Sequence, residues 1–571
     1  MPKWAPKFRA RYLGYGLGIF VTIFLVLGIF LAVQVNNLAS SARHLQSSAR
    51  ESDPKVFAEN YHIFSQRLNV LSAVAGNPVW KPIFFLVGSP STYSHEANIL
   101  RSTSAIVKSL SPLFDAADAR SPGLLTNMEL LQRSAPMLTT VAPDIQSVLT
   151  NLATLHLGGL LSPFDSKLAE VRKTASATSI VAQRILPMLP ALPTIVGSEG
   201  PRTYLVAFQN PAEARGVAGI IGSYALVRLE AGKLSVLHVG SNLELESRSE
   251  LPIKVSAEYR DLYGNDPAIW QNSNLSPHFP YAAKIWLTLW KLQHKEVLDG
   301  VITFDPLVLR QILVATGPIT VEGEEITAAN VAQKTMSDAY IRYSSDNAAR
   351  KQHLVLIIDG VLSRLQNGKV SGKDLINGLA SSVSENRILF YSSHKSEQDQ
   401  IALSSISGSL STNNDNQYRV VVNNIAGNKM DYYLVRQMTL TALTCGEKRT
   451  TKVDVVLQNT ARPDLVLPAY VNGRLDLKKP NGDGNSTSVE VMFFGPRNSA
   501  LLNSVNAPEI DSTRFIGSEL GHPVLAMNVE LKPEAPLHLT ATFKGGSGAL
   551  TNIVQPLVLP EKVTVIDKCG R

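Results

Sequence analysis

Cysteine is scarce. Cys445 and Cys569 are the two in 571 residues, neither belongs to a CxxC pair, and the 11 histidines show no HExxH spacing, so the sequence offers no metal site. Such sparse, even usage fits an extracytoplasmic compartment, with either one Cys445–Cys569 disulfide closing the C-terminal unit or two buried thiols. Charge is thin as well: 18% of residues are charged, against roughly a quarter in an average soluble domain. The net charge of +7 owes four positives to Lys3, Lys7, Arg9 and Arg11, which leaves +3 over residues 12–571. Without a concentrated basic footprint, nucleic acid is set aside as a partner. The 37 glycines and 32 prolines are an ordinary complement, which excludes collagen and wholesale disorder. A hydrophobic fraction of 44% excludes a polytopic membrane protein. No GK[ST], GxGxxG or GxSxG occurs, which disfavours a Walker loop, a dinucleotide fingerprint and a Ser–His–Asp hydrolase. Glycosidase carboxylates are not assignable from spacing, and no internal repeat is visible.

One long apolar run is present. Tyr12–Val33 holds 22 residues without a charge, about 33 Å as a helix, enough to span a bilayer. It is too long for the roughly 7–15-residue apolar region of a cleaved signal peptide, although Ala39–Ala42 offers small residues. Because the basic cluster precedes it, the positive-inside rule predicts residues 1–11 as a cytoplasmic tail, a transmembrane helix over 12–35 and everything later outside the cell. The expectation is a single-pass protein of the cell membrane with its bulk extracellular. The short tail disfavours a signalling receptor.

The expected fold class is multidomain α+β. Residues 36–197 read as a helical stalk: Tyr61–Val74 has amphipathic spacing, Met128–Leu138 and Val141–Leu157 look similar, and prolines divide the stretch. The run Leu186–Gly197 (LPMLPALPTIVG) reads as an extended hinge. Residues 198–417 alternate strands and helices as a central α/β domain. Thr203–Asn210 is a buried strand, Gly222–Gly240 a hairpin turning at Ala231-Gly232, and Leu298–Thr316 a strand followed by a helix with Asp305 at the N-cap and Pro306 at its first position. Helices are predicted over Ala348–Leu365 and Asp374–Ser384. Over residues 418–571, short runs such as YRVVVNN, DYYLVRQMTLTALT, KVDVVLQNT, SVEVMFF and LHLTATF predict a β-sandwich.

Two segments concentrate chemistry. Arg202–Tyr224 places Asn210, Glu213 and Arg215 in a loop after a buried strand, where α/β folds hold ligands, and an Arg fork suits a phosphate or carboxylate. The competing reading is a Glu–Arg pair bracing a turn. In Trp270–Trp286, Asn274, Ser276 and His278 are interleaved with aromatics, a composition suited to a sugar ring, with His278 able to titrate near neutral pH. Alternatively Ser276-Pro277 opens a helix whose aromatics are core. Asp305 is either a ligand contact or a helix cap. Arg342, Arg350 and Lys351 read as a solvated helix face.

These segments, in this order, resemble the bacterial envelope family called domain of unknown function 4012. The matching stretches are RTYLVAFQNPAEARGVAGIIGSYALV, QNSNLSPHFPYAAKI, LDGVITFDPLVLRQILVATGPI, the TAAN at Thr327–Asn330 and NKMDYY at Asn428–Tyr433, spanning roughly residues 198–435. This chain carries His278 where the family usually has an acid, and Ala218 where it has Gly. The family is distantly similar to the LytR–CpsA–Psr phosphotransferases, which attach glycopolymers from polyprenyl-diphosphate carriers to the cell wall. That similarity implies Glu213 as the acid holding Mg²⁺ on a diphosphate and Arg215 as a cation neutralising its oxygens, the two catalytic candidates. Without that chemistry no cofactor is implied. The expected function is a membrane-anchored envelope protein of wall or polysaccharide assembly, binding cell-wall glycan, polyprenyl-linked glycan or partner proteins. The alternative is the phosphotransferase-like enzyme.

Overall fold

A computed structural model describes residues 186–413, 415–446, 449–478, 484–506 and 514–569, with scattered helical residues between 33 and 179, the longest stretches being 54–75, 98–109 and 142–151. The chain divides into two compact units, Met1–Pro193 and Thr194–Arg571. In the first, the helix Pro54–Ala75 buries Tyr61, Leu68 and Leu71, the stripe expected from their spacing. The Tyr61 hydroxyl donates to the Val107 carbonyl at 2.6 Å. Met128–Leu138 and nearly all of the expected anchor over residues 12–35 lie outside the described residues. Among the described residues no helix is long and apolar enough to cross a membrane.

The expected extended hinge is helical instead: Leu186–Ala191 is a 3₁₀-helix and Leu192–Ile195 a short α-helix. Prolines 187, 190 and 193 recur every third residue, the period of a 3₁₀ turn, so they align on one side of it.

The second unit opens with a five-stranded sheet of order β3-β2-β1-β4-β7. Its strands are β1 (Arg202–Arg215), β2 (Ala218–Glu230), β3 (Lys233–Ser241), β4 (Gly300–Phe304) and β7 (Phe390–Ser392), with a small hairpin β5 (Ile319–Val321) and β6 (Glu324–Ile326) intervening in sequence. β1 pairs parallel with β4, and the other pairs are antiparallel. Ala231 and Gly232 both have positive φ (47° and 76°), the twist a two-residue hairpin needs. On one face Leu205, Ala207 and Val301 pack with Phe279, Trp286 and Trp290 of the helix Phe279–His294. Helix Pro306–Thr316 begins as expected, with the Asp305 carboxylate accepting from Leu307 N–H and Val308 N–H. Helix Asn347–Asn367 packs on β2 and β3, and Gly372–Ser384 forms the shorter helix.

The strand β1 corrects one expectation. Residues 211–215 are not a loop beyond the strand but its bulged continuation: Asn210 pairs with Ile220 and Ala214 with Gly219, leaving Pro211, Ala212 and Glu213 without partners across the ladder. Pro211 has no N–H for the ladder, and the Asn210 side chain accepts from Ala212 N–H at 3.1 Å, which closes the bulge. Gly219 is obligatory here, because a Cβ would lie 1.9 Å from the Asn210 carbonyl oxygen.

The remaining strands form a sandwich. One sheet is β12-β15-β10-β9-β17 and the other β13-β14-β11-β8-β16. They comprise β8 (Asp415–Asn424), β9 (Leu434–Thr444), β10 (Thr450–Asn459), β11 (Thr487–Phe494), β12 (Ala500–Asn506), β13 (Arg514–Glu519), β14 (His522–Leu531), β15 (Pro536–Lys544), β16 (Ser547–Asn552) and β17 (Lys562–Ile566). Alternate residues such as Val420, Val422, Val453, Val455, Val491 and Phe493 fill the space between the sheets. Asp431–Tyr433, expected to start a strand, belong to a 3₁₀ turn (Met430–Tyr433) ahead of β9. Cys445, just past β9, and Cys569, just past its parallel neighbour β17, are disulfide-bonded with Cα atoms 5.5 Å apart.

Candidate functional site

The bulge turns Glu213 out of the sheet and into a cleft of ≈ 500 Å³. Its walls come from β1 and β2 (Asn210, Glu213, Gly222), from Tyr340, from the first turn of helix Asn347–Asn367, and from sandwich loops carrying Lys429 and Tyr470. Asn242, Gln271 and Asn347 add amides, and the exposed Leu243 and Leu475 give an apolar rim.

Cations dominate it. Lys351 is buried, with its ammonium donating to the Gly222 carbonyl at 3.1 Å. Burial, reinforced by the charges of Arg350 and Lys429 and opposed by Glu213, lowers its pKa to about 8. Lys429 pairs with Glu213 Oε1 at 3.2 Å, both side chains largely buried. The Arg350 guanidinium, wholly inaccessible, lies 3.9 Å from the Tyr470 ring centre and 4.9 Å from that of Tyr340. Lys429 is 4.1 Å from the Tyr470 ring centre. The two tyrosine rings are nearly parallel, 13° apart with centres at 6.1 Å. The Tyr340 hydroxyl accepts from Asn210 Nδ2 at 2.9 Å, and burial raises the phenol's pKa. Arg350 closes the first turn of its helix and Lys351 follows it, near the end where the macrodipole disfavours positive charge; Asp346 caps that turn through Ala349 N–H.

Of the residues expected at a site, Asn210 and Glu213 line this cleft and the others do not. Arg215 is buried behind it. Its Nε donates to the Gln271 carbonyl (3.1 Å), Nη1 to the Ala214 and Asn424 carbonyls (2.9 and 3.0 Å) and Nη2 to Asn272 Oδ1 (3.0 Å). It is neither paired with Glu213 nor free for an anion, so both earlier readings fail. The Gln555 side chain clamps the same strand, donating to the Arg215 and Val422 carbonyls at 2.7 and 2.8 Å. Asp431 of the NKMDYY stretch accepts from Ala214 N–H at 2.8 Å and Asn424 Nδ2 at 2.9 Å; burial lifts its carboxyl to about 7.

Asn274 is buried and donates to the Gly219 carbonyl at 2.8 Å. His278, expected to titrate near neutrality, is instead enclosed, accepting from Leu410 N–H, and burial with the charge of Arg419 lowers its pKa to about 3. Asp305 is a cap paired with Arg387 at 2.6 Å, both side chains buried. Arg350 and Lys351 are likewise not a solvated face; the solvent-exposed member of that trio is Arg342.

Ser276 donates to Glu519 Oε1 at 2.5 Å, and Tyr263 donates to Oε2 at 2.9 Å. Burial lifts the Glu519 carboxyl from 4.5 to about 7, with those hydrogen bonds and Arg419 opposing. Because the folded state holds this proton more tightly, Glu519 contributes stability that is full below its unfolded value of 4.5 and is lost as pH rises through about 7. His278 acts in the opposite sense, its contribution being full above 6.5 and lost as pH falls toward 3. Glu519→Gln is therefore expected to remove a decline in chemical-denaturation stability as pH rises through this interval. Equal slopes in parent and variant would show that Glu519 stays ionised when buried.

Sequence reasoning missed Tyr340, Arg350, Lys351, Lys429 and Tyr470. A signal for Arg350 existed: it falls on the same helical stripe as Leu354, Ile357, Ile358 and Val361, all buried.

Residues 199–340 match the model of a family described as Protein of unknown function (DUF4012). Over those residues the chain is similar to that family. The DUF4012 segment contributes the bulge, Gly222, Gln271 and Tyr340 to the cleft, while Lys351, Lys429 and Tyr470 come from beyond it. No curated protein and no solved structure matches the chain, so the similarity of the DUF4012 family to LytR–CpsA–Psr phosphotransferases gains no support.

The residues do not fit the Mg²⁺–diphosphate arrangement that such a similarity implies. Among the described residues lining the cleft, Glu213 is the sole carboxylate and it already holds Lys429, while Arg215 faces backbone carbonyls. No group of three or more His, Cys, Asp or Glu among the described residues is placed to hold a metal ion.

Proposed function

We propose that this is a membrane-anchored, extracytoplasmic protein of cell-envelope or polysaccharide assembly whose DUF4012 cleft binds a glycan. The observation that carries the reading is the near-parallel Tyr340–Tyr470 pair facing a cleft lined by the amides of Asn210, Asn242, Gln271 and Asn347. An aromatic face takes the C–H side of a sugar ring while amides hydrogen-bond its hydroxyls. The charge-free run over Tyr12–Val33 behind four cations supports the anchor, and the Cys445–Cys569 bridge supports an oxidising compartment.

Tyr470 belongs to a four-residue helix and is 40% exposed, so its loss should hardly affect folding. Tyr470→Ala in the full chain, kept in detergent micelles, is expected to weaken binding of an N-acetylglucosamine tetramer about threefold to tenfold. Isothermal titration calorimetry measures this. Parent-like affinity in the variant would remove the aromatic pair from the site and with it the glycan reading.

A further inference from the structure

We infer that the glycan taken by this cleft is an acidic one, its phosphate or carboxylate seated between Lys351 and Lys429. The inference rests on the glycan reading for the sugar but not for the charge. Two lysines, Lys351 and Lys429, line the cleft against one carboxylate, Glu213, with Arg350 buried against the Tyr470 ring beside them. Their donors are under-used. Lys351 has three N–H groups and one partner, the Gly222 carbonyl. Arg350 Nη2 donates to Asn347 Oδ1 and Nη1 reaches the Tyr343 carbonyl at 3.5 Å, which leaves the buried Nε without a partner. Buried cations without counterions are costly, and proteins retain them where something anionic completes the pairing.

The groups facing Lys351 agree. Arg350 on its own helix and Lys429 from the sandwich loop repel its charge, and Glu213 of the bulge, itself bound to Lys429, offsets them in part. An anion entering here would be held by charge-assisted hydrogen bonds from the Lys351 and Lys429 ammonium groups, and the exposed Tyr470 ring would lie beside the sugar that carries it. Lys351, with its pKa near 8, would take up a proton as the anion binds at alkaline pH, so affinity should fall as pH rises through about 8.

The test is calorimetry on the full chain in micelles with four probes: a glucuronate-containing tetrasaccharide, glucose 1-phosphate, a neutral N-acetylglucosamine tetramer and inorganic phosphate. At least one acidic sugar is expected to bind about tenfold to a hundredfold more tightly than the neutral tetramer. Which of the two does so tells carboxylate from phosphate. Lys351→Met and, separately, Lys429→Gln should each bring that affinity down to the neutral level. Lys351→Met should do so with an equal or higher melting temperature, since it removes a buried charge. Lys351→Arg, which keeps the charge, should retain part of the preference. If the neutral tetramer binds as tightly as both acidic sugars, the charge inference is overturned and the glycan reading stands. If phosphate alone matches the acidic sugars and the neutral tetramer does not bind, the glycan reading falls and the charge inference survives. Binding by none of the four overturns both.

Discussion

Replacing Arg215 by alanine is expected to lower the stability of the second unit by about 3–5 kcal/mol, a severe effect for one side chain. The guanidinium makes four hydrogen bonds, three of them to the carbonyls of Gln271, Ala214 and Asn424, which belong to three different segments. Each carbonyl left buried without a donor costs about 1–3 kcal/mol. Because burial is the largest influence on Arg215, lowering its pKa against the pull of Glu213 and Asp431, removing the charge returns part of that cost. Arg215→Lys should not rescue, since a single ammonium cannot serve four acceptors spread around a planar fork. Thermal and urea denaturation measure the loss, and glycan binding measured below the transition should survive. A variant that melts like the parent but no longer binds would return Arg215 to the binding machinery.

Asp305→Ala should cost about as much by a different route. The carboxylate caps helix Pro306–Thr316 through Leu307 N–H at 2.9 Å and Val308 N–H at 3.0 Å. A lost cap is worth about 1 kcal/mol. Its other oxygen holds Arg387 at 2.6 Å, with side-chain exposures of 1% and 7%, and removing one member of a buried pair costs about 3–5 kcal/mol. Arg387 keeps Glu385 and the Leu557 carbonyl as partners, which moderates the total. Asp305→Asn should fall between parent and alanine, because an amide oxygen still caps but does not neutralise Arg387. Adding Arg387→Met to Asp305→Ala should restore much of the stability. A loss of about 1 kcal/mol or less in the single alanine variant would show that the ion pair contributes nothing beyond the cap.

The contrast between these residues shows what the sequence reveals. Asp305-Pro306 and Ala231-Gly232 announce a helix start and a hairpin because their physics is local: a side chain meets N–H groups two and three residues on, or two backbone angles turn positive. The strands of the sandwich are equally legible, since burying one face imposes a period of two. Arg215 is illegible in the sequence because all but one of its partners are distant along the chain, and nothing at position 215 distinguishes a fork aimed at carbonyls from one aimed at a ligand. The bulge at Pro211–Glu213 reads as a loop in the sequence because proline and polar residues mark both. The cleft itself was least legible. Glu213, Lys351, Lys429 and Tyr470 meet only through the parallel β1–β4 crossover and the loops between sandwich strands, and no local pattern encodes such a meeting.

Gln555 carries a consequence for biosynthesis. It clamps the Arg215 carbonyl across 340 residues of chain, and β17 beyond it supplies the outer neighbour of β9. A polypeptide emerging from the ribosome N-terminus first has every lining residue of the cleft in place by position 475, yet lacks the clamp for another 80 residues. Closing so long a loop is slow and comes late. The support of the strand that presents Glu213 is thus tied to synthesis past Gln555, and a product truncated before it would carry all the cleft's side chains without the clamp.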